Sequence, residues 1–217
     1  MTASPSRYLF VSPVSDRPED YLDPDDVLDY GHPAIQSLAD LLRQSCGADD
    51  PPTPDGLADV GYAEAAFQFV RDEVAHSADA GHYSLAYRAS DVLESRNAIC
   101  FGKAHLLTAL LRAADIPTGL CYQRLADDSG PDGFVLHGLV ATRLAGRWSR
   151  LDPRGNKPGV DAQFDLYHER LAWPVDPALG ETDYPTVHPS TPPKLLAGLA
   201  AARPGPDAYA RLPTELG

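Results

Sequence analysis

A chain of 217 residues with a hydrophobic fraction of 43% is long enough for one compact domain with an apolar core. Its formal net charge of −13 argues against nucleic acid and anionic membrane surfaces as partners, because both select basic patches. The cysteine count of 3 is low and odd, and no charged-then-apolar signal segment opens the sequence, so we expect a cytoplasmic protein without a disulfide framework.

The first third of the chain predicts one strand and two helices. Residues 7–11 are mostly apolar and favour a strand that Ser12 and Pro13 would end. Residues 33–45 and 62–74 each repeat apolar side chains at helical spacing, and a loop rich in proline and aspartate separates them. Residues 91–93 predict a short helical turn.

The segment from Asn97 to Leu107 is the most informative stretch, because it places Cys100 where a loop becomes an amphipathic helix. The apolar stripe of that helix consists of Leu106, Leu107, Leu110 and Leu111. Arg112 falls on its polar side, and Pro117 stops it. The dipole and the unpaired N–H groups of a first helical turn favour negative charge, so a cysteine there is well placed to become a thiolate.

Three strands are predicted after the cysteine helix. The first strand spans residues 118–125. The second spans residues 134–142 and contains His137, and the third spans residues 147–153 and has Asp152 near its end. The short turn at residues 144–146 makes the last two strands a hairpin, whose antiparallel pairing brings His137 and Asp152 close together.

The remaining chain predicts little regular structure. Residues 155–160 read as a loop, residues 161–171 are ambiguous, and the proline-rich chain from Trp173 onwards reads as an extended arm with a short helix near residues 194–202. We therefore expect a single α+β domain over residues 1–217, with helices on one side of an antiparallel sheet. Its core spans about 62–157, preceded by a strand and a helix and followed by the C-terminal arm.

The segments RDEVAHSADAG and DPRGNKPGVDAQF resemble the bacterial branch of the transglutaminase-like superfamily, and two longer motifs resemble that superfamily as a whole. They are AICFGKAHLLTALLRAADIP around Cys100 and LHGLVATRLAGRWSRLDPRGNK around His137 and Asp152. The resemblance runs from about Tyr62 to Lys157 and implies a papain-like core, in which a cysteine-headed helix packs on an antiparallel sheet. It also implies that Cys100 is the nucleophile, His137 the base and Asp152 the residue that orients the imidazole.

Two residues depart from the family pattern. Ala98 stands where a glycine commonly precedes the cysteine, and Gly138 stands where the family often has an alanine followed by tryptophan. Both flank the proposed triad, so they affect the expected substrate contacts more than the triad itself.

The resemblance implies cysteine-dependent acyl transfer or hydrolysis at a carboxamide or peptide bond through a thioester. The backbone N–H of Cys100 is the first expected oxyanion donor, and the second is either Gln123 or a side chain from residues 76–83. No cofactor is predicted. The sequence contains no Cys-x-x-Cys or His-Glu-x-x-His pattern that would indicate a metal site near Cys100.

Two other functions stay open at this level. Family members also act as crosslinking transglutaminases, which need an apolar channel that excludes water, and Phe101, Tyr122 and Trp148 are candidates for lining it. Other members have lost catalysis and retain the fold as binding modules. The substrate, the acyl acceptor and the oligomeric state do not follow from the sequence.

Overall fold

The computed structural model describes residues 11–47, 57–127, 132–205, 208 and 211–216. The five α-helices in this part of the chain are α1 (Pro33–Ser45), α2 (Leu57–Glu73), α3 (Ala89–Ser95), α4 (Cys100–Arg112) and α5 (Pro193–Ala201). Helix α1 has the predicted bounds, α2 begins five residues earlier than predicted, and α5 lies one residue from its expected place. In the described residues, no helix combines the length and apolar character needed to cross a membrane.

Helix α4 is buried along its whole length, so it is more deeply buried than an amphipathic pattern suggests. Arg112, expected on a polar face, is 2% exposed. Its guanidinium is stabilised by donating to the carbonyl oxygens of Thr118 and Pro189. Buried Lys103 similarly donates to the carbonyls of Arg71 and Val74 at the end of α2. The polar groups of α4 therefore tie neighbouring segments to the central helix instead of facing water.

The described strands form a five-stranded sheet and a short two-stranded one. They are β1 (Ser12–Pro13), β2 (Ala75–His76), β3 (Asn97–Ala98), β4 (Thr118–Ala126), β5 (Phe134–Leu144), β6 (Arg147–Leu151) and β7 (Thr182–His188). The order in the large sheet is β1-β7-β4-β5-β6, and its pairs are antiparallel except for β1 with β7. Strands β2 and β3 pair in parallel directly before α4.

The predicted β5–β6 hairpin is present and closes through a two-residue turn. Ala145 and Gly146 both have positive φ, at 48° and 76°, which is the geometry that two-residue hairpins favour. The strand predicted at residues 7–11 falls outside the described residues, apart from Val11, which is not in a strand.

The C-terminal segment differs from the prediction of an extended arm. Strand β7 inserts between β1 and β4 and completes the large sheet. Its register shifts opposite the interval between Leu120 and Tyr122, where β7 contains Pro185. A proline cannot donate to the ladder and is tolerated at such an irregularity, which explains why this strand has no clear sequence pattern. The sheet carries one large apolar core that includes α4 and a smaller one around Tyr21 and Val187.

Candidate active site

Cys100 is the first residue of α4 and lines a cleft of about 460 Å³. The preceding residue, Ile99, has an extended backbone and offers no side chain to cap the helix. The first-turn N–H groups and the helix dipole therefore act at the position of the Cys100 side chain. A helix start is a position at which proteins commonly place an anionic group.

His137, on β5, lines the same cleft and is 4% exposed. Its Nε2 lies 2.8 Å from Oδ2 of Asp152. Burial lowers the pKa of His137, but the charge and hydrogen bond of Asp152, together with those of Cys100, outweigh it and raise the pKa to about 10. A cationic imidazole beside the sulfur is the expected consequence at neutral pH.

Asp152 follows β6 and is fully buried. Its Oδ1 accepts a hydrogen bond from the backbone N–H of Arg154 at 3.1 Å, and its Oδ2 accepts one from the N–H of Ala172 at 2.9 Å. Burial raises the pKa of Asp152, but the charge and hydrogen bond of His137 and the two backbone donors outweigh it and hold the pKa below its usual value. The carboxylate is therefore an anion that fixes the orientation of the imidazole and leaves Nδ1 for Cys100.

Trp173 covers the histidine, a contact that the sequence did not indicate. Its ring meets His137 edge to face, with the centroids 5.0 Å apart. The guanidinium of Arg154 lies over the ring of Trp173, with Cζ 4.8 Å from the ring centroid. The bond between His137 and Asp152 is shielded from water, since the two residues are 4% and 0% exposed. No spacing or motif connects residue 173 with residue 137, so only the folded chain identifies it.

A charged cluster forms one part of the cleft wall beside the triad candidates. Asp79 accepts hydrogen bonds from Arg154 at 3.0 Å and from Lys157 at 2.8 Å. The ring of His76 adjoins this cluster, with Nδ1 4.0 Å from Oδ2 of Asp79. All four side chains line the cleft that holds Cys100. Of this cluster, sequence reasoning had singled out only the segment 76–83, as one source of an oxyanion donor.

Gln123, the other predicted oxyanion donor, lies opposite His137 in the pairing of β4 with β5. Its side-chain nitrogen donates to Oδ1 of Asp183 at 3.0 Å and to the carbonyl of Trp173 at 3.4 Å. Gln123 is 1% exposed and is not among the residues that line the cleft. Its amide is thus used in holding the fold, and its role as an oxyanion donor stays a prediction.

The three aromatic residues proposed to line an apolar channel lie in two different regions of the fold. Phe101 lines the cleft, and Tyr122 lies behind it with the ring centroids 6.2 Å apart. Trp148 instead packs on Tyr21, with the centroids 4.8 Å apart, in the smaller apolar cluster. The tryptophan at the cleft is therefore Trp173 and not Trp148. In the part of the chain that the structure describes, no group of three or more His, Cys, Asp or Glu side chains could hold a metal ion.

The model of one protein family, the Transglutaminase-like superfamily, matches residues 49–153. The match includes the helix that begins at Cys100 and the hairpin that carries His137 and Asp152. Over these residues the chain is similar to the transglutaminase-like superfamily, as its two sequence motifs predicted. Among curated proteins, no sequence matches this chain.

Several solved structures are similar to part of this chain. A candidate cysteine protease from Cytophaga hutchinsonii has 19% identity and a TM-score of 0.46, covering 67% of this chain and 46% of that one. The periplasmic domain of TgpA from Pseudomonas aeruginosa has 22% identity and a TM-score of 0.43, covering 64% and 48%. A TGase has 20% identity and a TM-score of 0.38, covering 61% and 34%. This chain thus spans less than half of each of these proteins, and a likeness at this level carries no conclusion about substrate or reaction.

Proposed function

We propose that the protein is a cysteine-dependent enzyme that takes an acyl group from a carboxamide or peptide bond and passes it to water or to an amine. One observation carries this proposal above the others. A buried pair of His137 and Asp152, joined at 2.8 Å, stands beside a cysteine at a helix start, and the cysteine and histidine line one cleft. These are the roles of nucleophile, base and orienting acid that acyl transfer requires.

The proposed reaction begins when the sulfur of Cys100 bonds to the carbonyl carbon and the carbonyl π pair moves to oxygen. Collapse of this intermediate breaks the carbon–nitrogen bond, and His137 gives its proton to the leaving amine. Water or an amine then attacks the thioester and loses its proton to His137, and the carbon–sulfur bond breaks. Asp152 orients the imidazole throughout and takes no proton.

The cleft supports a peptide or amide substrate. Its volume of about 460 Å³ lies in the range of small-molecule and peptide-side-chain sites. Apolar residues such as Phe101 and Phe134 share its walls with carboxylates from Asp176 and Glu181 and with the cations of Arg154 and Lys157. A mixed lining of this kind fits an amide group with both apolar and charged substituents.

Reactivity of the three cysteines tests the proposal directly. At pH 6, where an ordinary thiol is almost wholly protonated, we expect iodoacetamide to alkylate Cys100 faster than the exposed Cys46. Cys121 should react most slowly, because burial raises its pKa to about 12. Peptide mass spectrometry gives the three rates in one sample. Replacement of His137 by Gln should remove the advantage of Cys100, and equal rates at Cys100 and Cys46 in the native protein would contradict the proposal.

Product analysis separates the two reactions and the inactive alternative. Incubation of the protein with amide or peptide libraries, with and without an added primary amine, distinguishes a free acid product from a new amide. Crosslinking would appear only with the amine. A protein whose Cys100 is alkylated but never acylated by any substrate would instead be the binding module.

We also propose a cytoplasmic location, a substrate that is neither nucleic acid nor membrane lipid, and one functional domain. The odd, low cysteine count and the net charge of −13 support these proposals. Fractionation of cells that express the full chain at its native level measures the location, and recovery outside the cytoplasm would contradict it.

A further inference from the structure

His76 is held next to the nucleophile by the short parallel sheet. It pairs with Ala98, two residues before Cys100. The backbone N–H of Ser77 donates to the carbonyl of Ala98 at 3.0 Å, and the N–H of Ala75 donates to the carbonyl of Arg96 at 2.9 Å. The position of His76 is therefore fixed relative to the start of α4 by backbone hydrogen bonds on both sides.

The ring of His76 has no hydrogen-bond partner among the described residues. Its side chain is 13% exposed and lines the cleft, and Nδ1 is fully buried without a partner. The nearest carboxylate, Asp79, is 4.0 Å away and already accepts from Arg154 and Lys157. An unsatisfied buried polar group costs about 1–3 kcal/mol, so such a group commonly marks a functional role.

The charges around His76 keep its imidazole neutral. Burial lowers its pKa to about 3, and the cations of Arg154, Lys103 and His137 act in the same direction, whereas Asp79 opposes them. A neutral imidazole has one N–H, and it can donate a hydrogen bond without giving up a proton. Because Nδ1 is buried and the side chain lines the cleft, Nε2 is the ring nitrogen left to meet a ligand there.

The proposed reaction needs hydrogen-bond donors for the negative charge that develops on the substrate oxygen. Attack by Cys100 moves an electron pair to the carbonyl oxygen, and this negative charge requires preorganised donors. The backbone N–H of Cys100 can provide one. The amide of Gln123, the second candidate from the sequence, is engaged with Asp183 and Trp173.

We infer that His76 is the second oxyanion donor, and that its Nε2–H binds the oxygen of the tetrahedral intermediate formed on Cys100. This inference rests on the proposed acyl transfer and names a further catalytic residue for it. Loss of one such donor typically slows the reaction by about 10²–10³-fold.

Two reactions of the same sulfur provide the test. Acylation by a p-nitrophenyl ester passes through an oxyanion, whereas alkylation by iodoacetamide forms the carbon–sulfur bond as iodide leaves and creates no oxyanion. In His76→Leu we expect acylation to fall by about 100-fold or more while alkylation keeps its native rate. His76→Gln, which retains an N–H donor of similar reach, should recover part of the loss.

His82→Gln is the matched control, because His82 is an exposed histidine of the same connection and does not line the cleft. Both of its rates should equal those of the native protein. Acylation at the native rate in His76→Leu would overturn the inference. So would an equal loss of acylation in the Leu and Gln variants, or a loss of alkylation that parallels the loss of acylation, because either result would indicate a structural role. If Cys100 of the native protein reacts with neither the ester nor iodoacetamide, the proposed function itself is wrong. This result differs from the outcomes above, which concern the variants.

Discussion

Arg150 and Asp152 are buried charged residues two positions apart, yet their surroundings differ. Arg150 binds Glu169 at 2.7 Å and Asp183 at 2.6 Å, and these carboxylates belong to the segment that follows the hairpin and to β7. Asp152 binds His137 and the backbone of the same following segment at Ala172. Both residues therefore help to dock one long C-terminal segment on the sheet.

The two networks, one around Arg150 and one around Asp152, differ in whether a reactive side chain lies beside them. The charge of Arg150 is balanced by two carboxylates, and the residue does not line the cleft. The pair of His137 and Asp152 instead lies beside a cysteine in a cleft, near His76, whose Nδ1 has no partner among the described residues. Burial of charge is thus no guide to chemistry by itself. The feature that distinguishes the Asp152 network is the nucleophile candidate Cys100, which lines the cleft beside it.

The largest expected effect that separates the two networks is on catalysis. Asp152→Asn should reduce acylation of Cys100 by about 10³–10⁴-fold, because an amide can favour the wrong imidazole tautomer. Far-ultraviolet circular dichroism should stay close to native, since Asn has nearly the same shape, whereas the thermal midpoint should fall because the buried pair with His137 loses its anion. The exposed Asp161→Asn is the matched control. Native activity in Asp152→Asn would remove this residue from the mechanism.

For the second network we expect an effect on stability. Arg150→Met leaves Glu169 and Asp183 without their cation and should lower the free energy of unfolding by about 3 kcal/mol. Arg170→Met, which removes an exposed partner of Asp161, should cost less than about 1 kcal/mol. Denaturant titration measures both. If Arg150→Met also slows alkylation of Cys100 in the folded protein, the two networks are coupled and the contrast between them fails.

A smaller effect is expected where β5 meets the start of α4. A Cβ at Gly138 would lie 2.8 Å from Cδ1 and 3.3 Å from Cα of Phe101, so Gly138→Ala should cost about 1–3 kcal/mol through overpacking. The clash explains why glycine stands at this departure from the family pattern. A double variant with Phe101→Leu should cost less than the sum of the two single changes. Gly31→Ala, with no atom within 4 Å of the added Cβ, is the control, and an equal cost at Gly31 would contradict the explanation.

A further effect is a slope in stability with pH. The pKa of His137 is raised from 6.5 to about 10 on folding, so the folded state binds this proton more tightly than the unfolded chain does. The resulting stabilisation is complete below about pH 6.5 and is lost as the pH rises towards 10. Relative to His137→Gln, the native protein should lose up to about 1.4 kcal/mol per pH unit between pH 7 and 9. Guanidinium titrations at several pH values would contradict this if the two slopes were equal.

Much of the site's framework could be predicted because it depends on local pattern. The cysteine at the start of α4 follows from apolar spacing that begins after a loop. The hairpin follows from two β-rich runs around Ala145 and Gly146, and its antiparallel pairing brings His137 to Asp152. These features need only short-range geometry once the helix and strands form.

The remaining features depend on contacts between distant parts of the chain. Strand β7 contains Pro185 and gains its place only by pairing with β4, some 60 positions earlier in the sequence. The sequence pattern predicts a solvent-facing Arg112, yet the residue is buried, because its guanidinium donates hydrogen bonds to carbonyls of other segments. Trp173 could not be linked to His137 by any spacing.

The sequence by itself determined the cysteine helix and the hairpin, because helical and strand periodicity record which faces are buried, and its motifs showed the resemblance to the transglutaminase-like superfamily. Only the tertiary structure decided that His76 and Trp173 join Cys100 and His137 at the cleft, and that Gln123 is engaged elsewhere. Hydrogen bonds and ring contacts between segments far apart in the chain are set by packing, and no local pattern of residues encodes them.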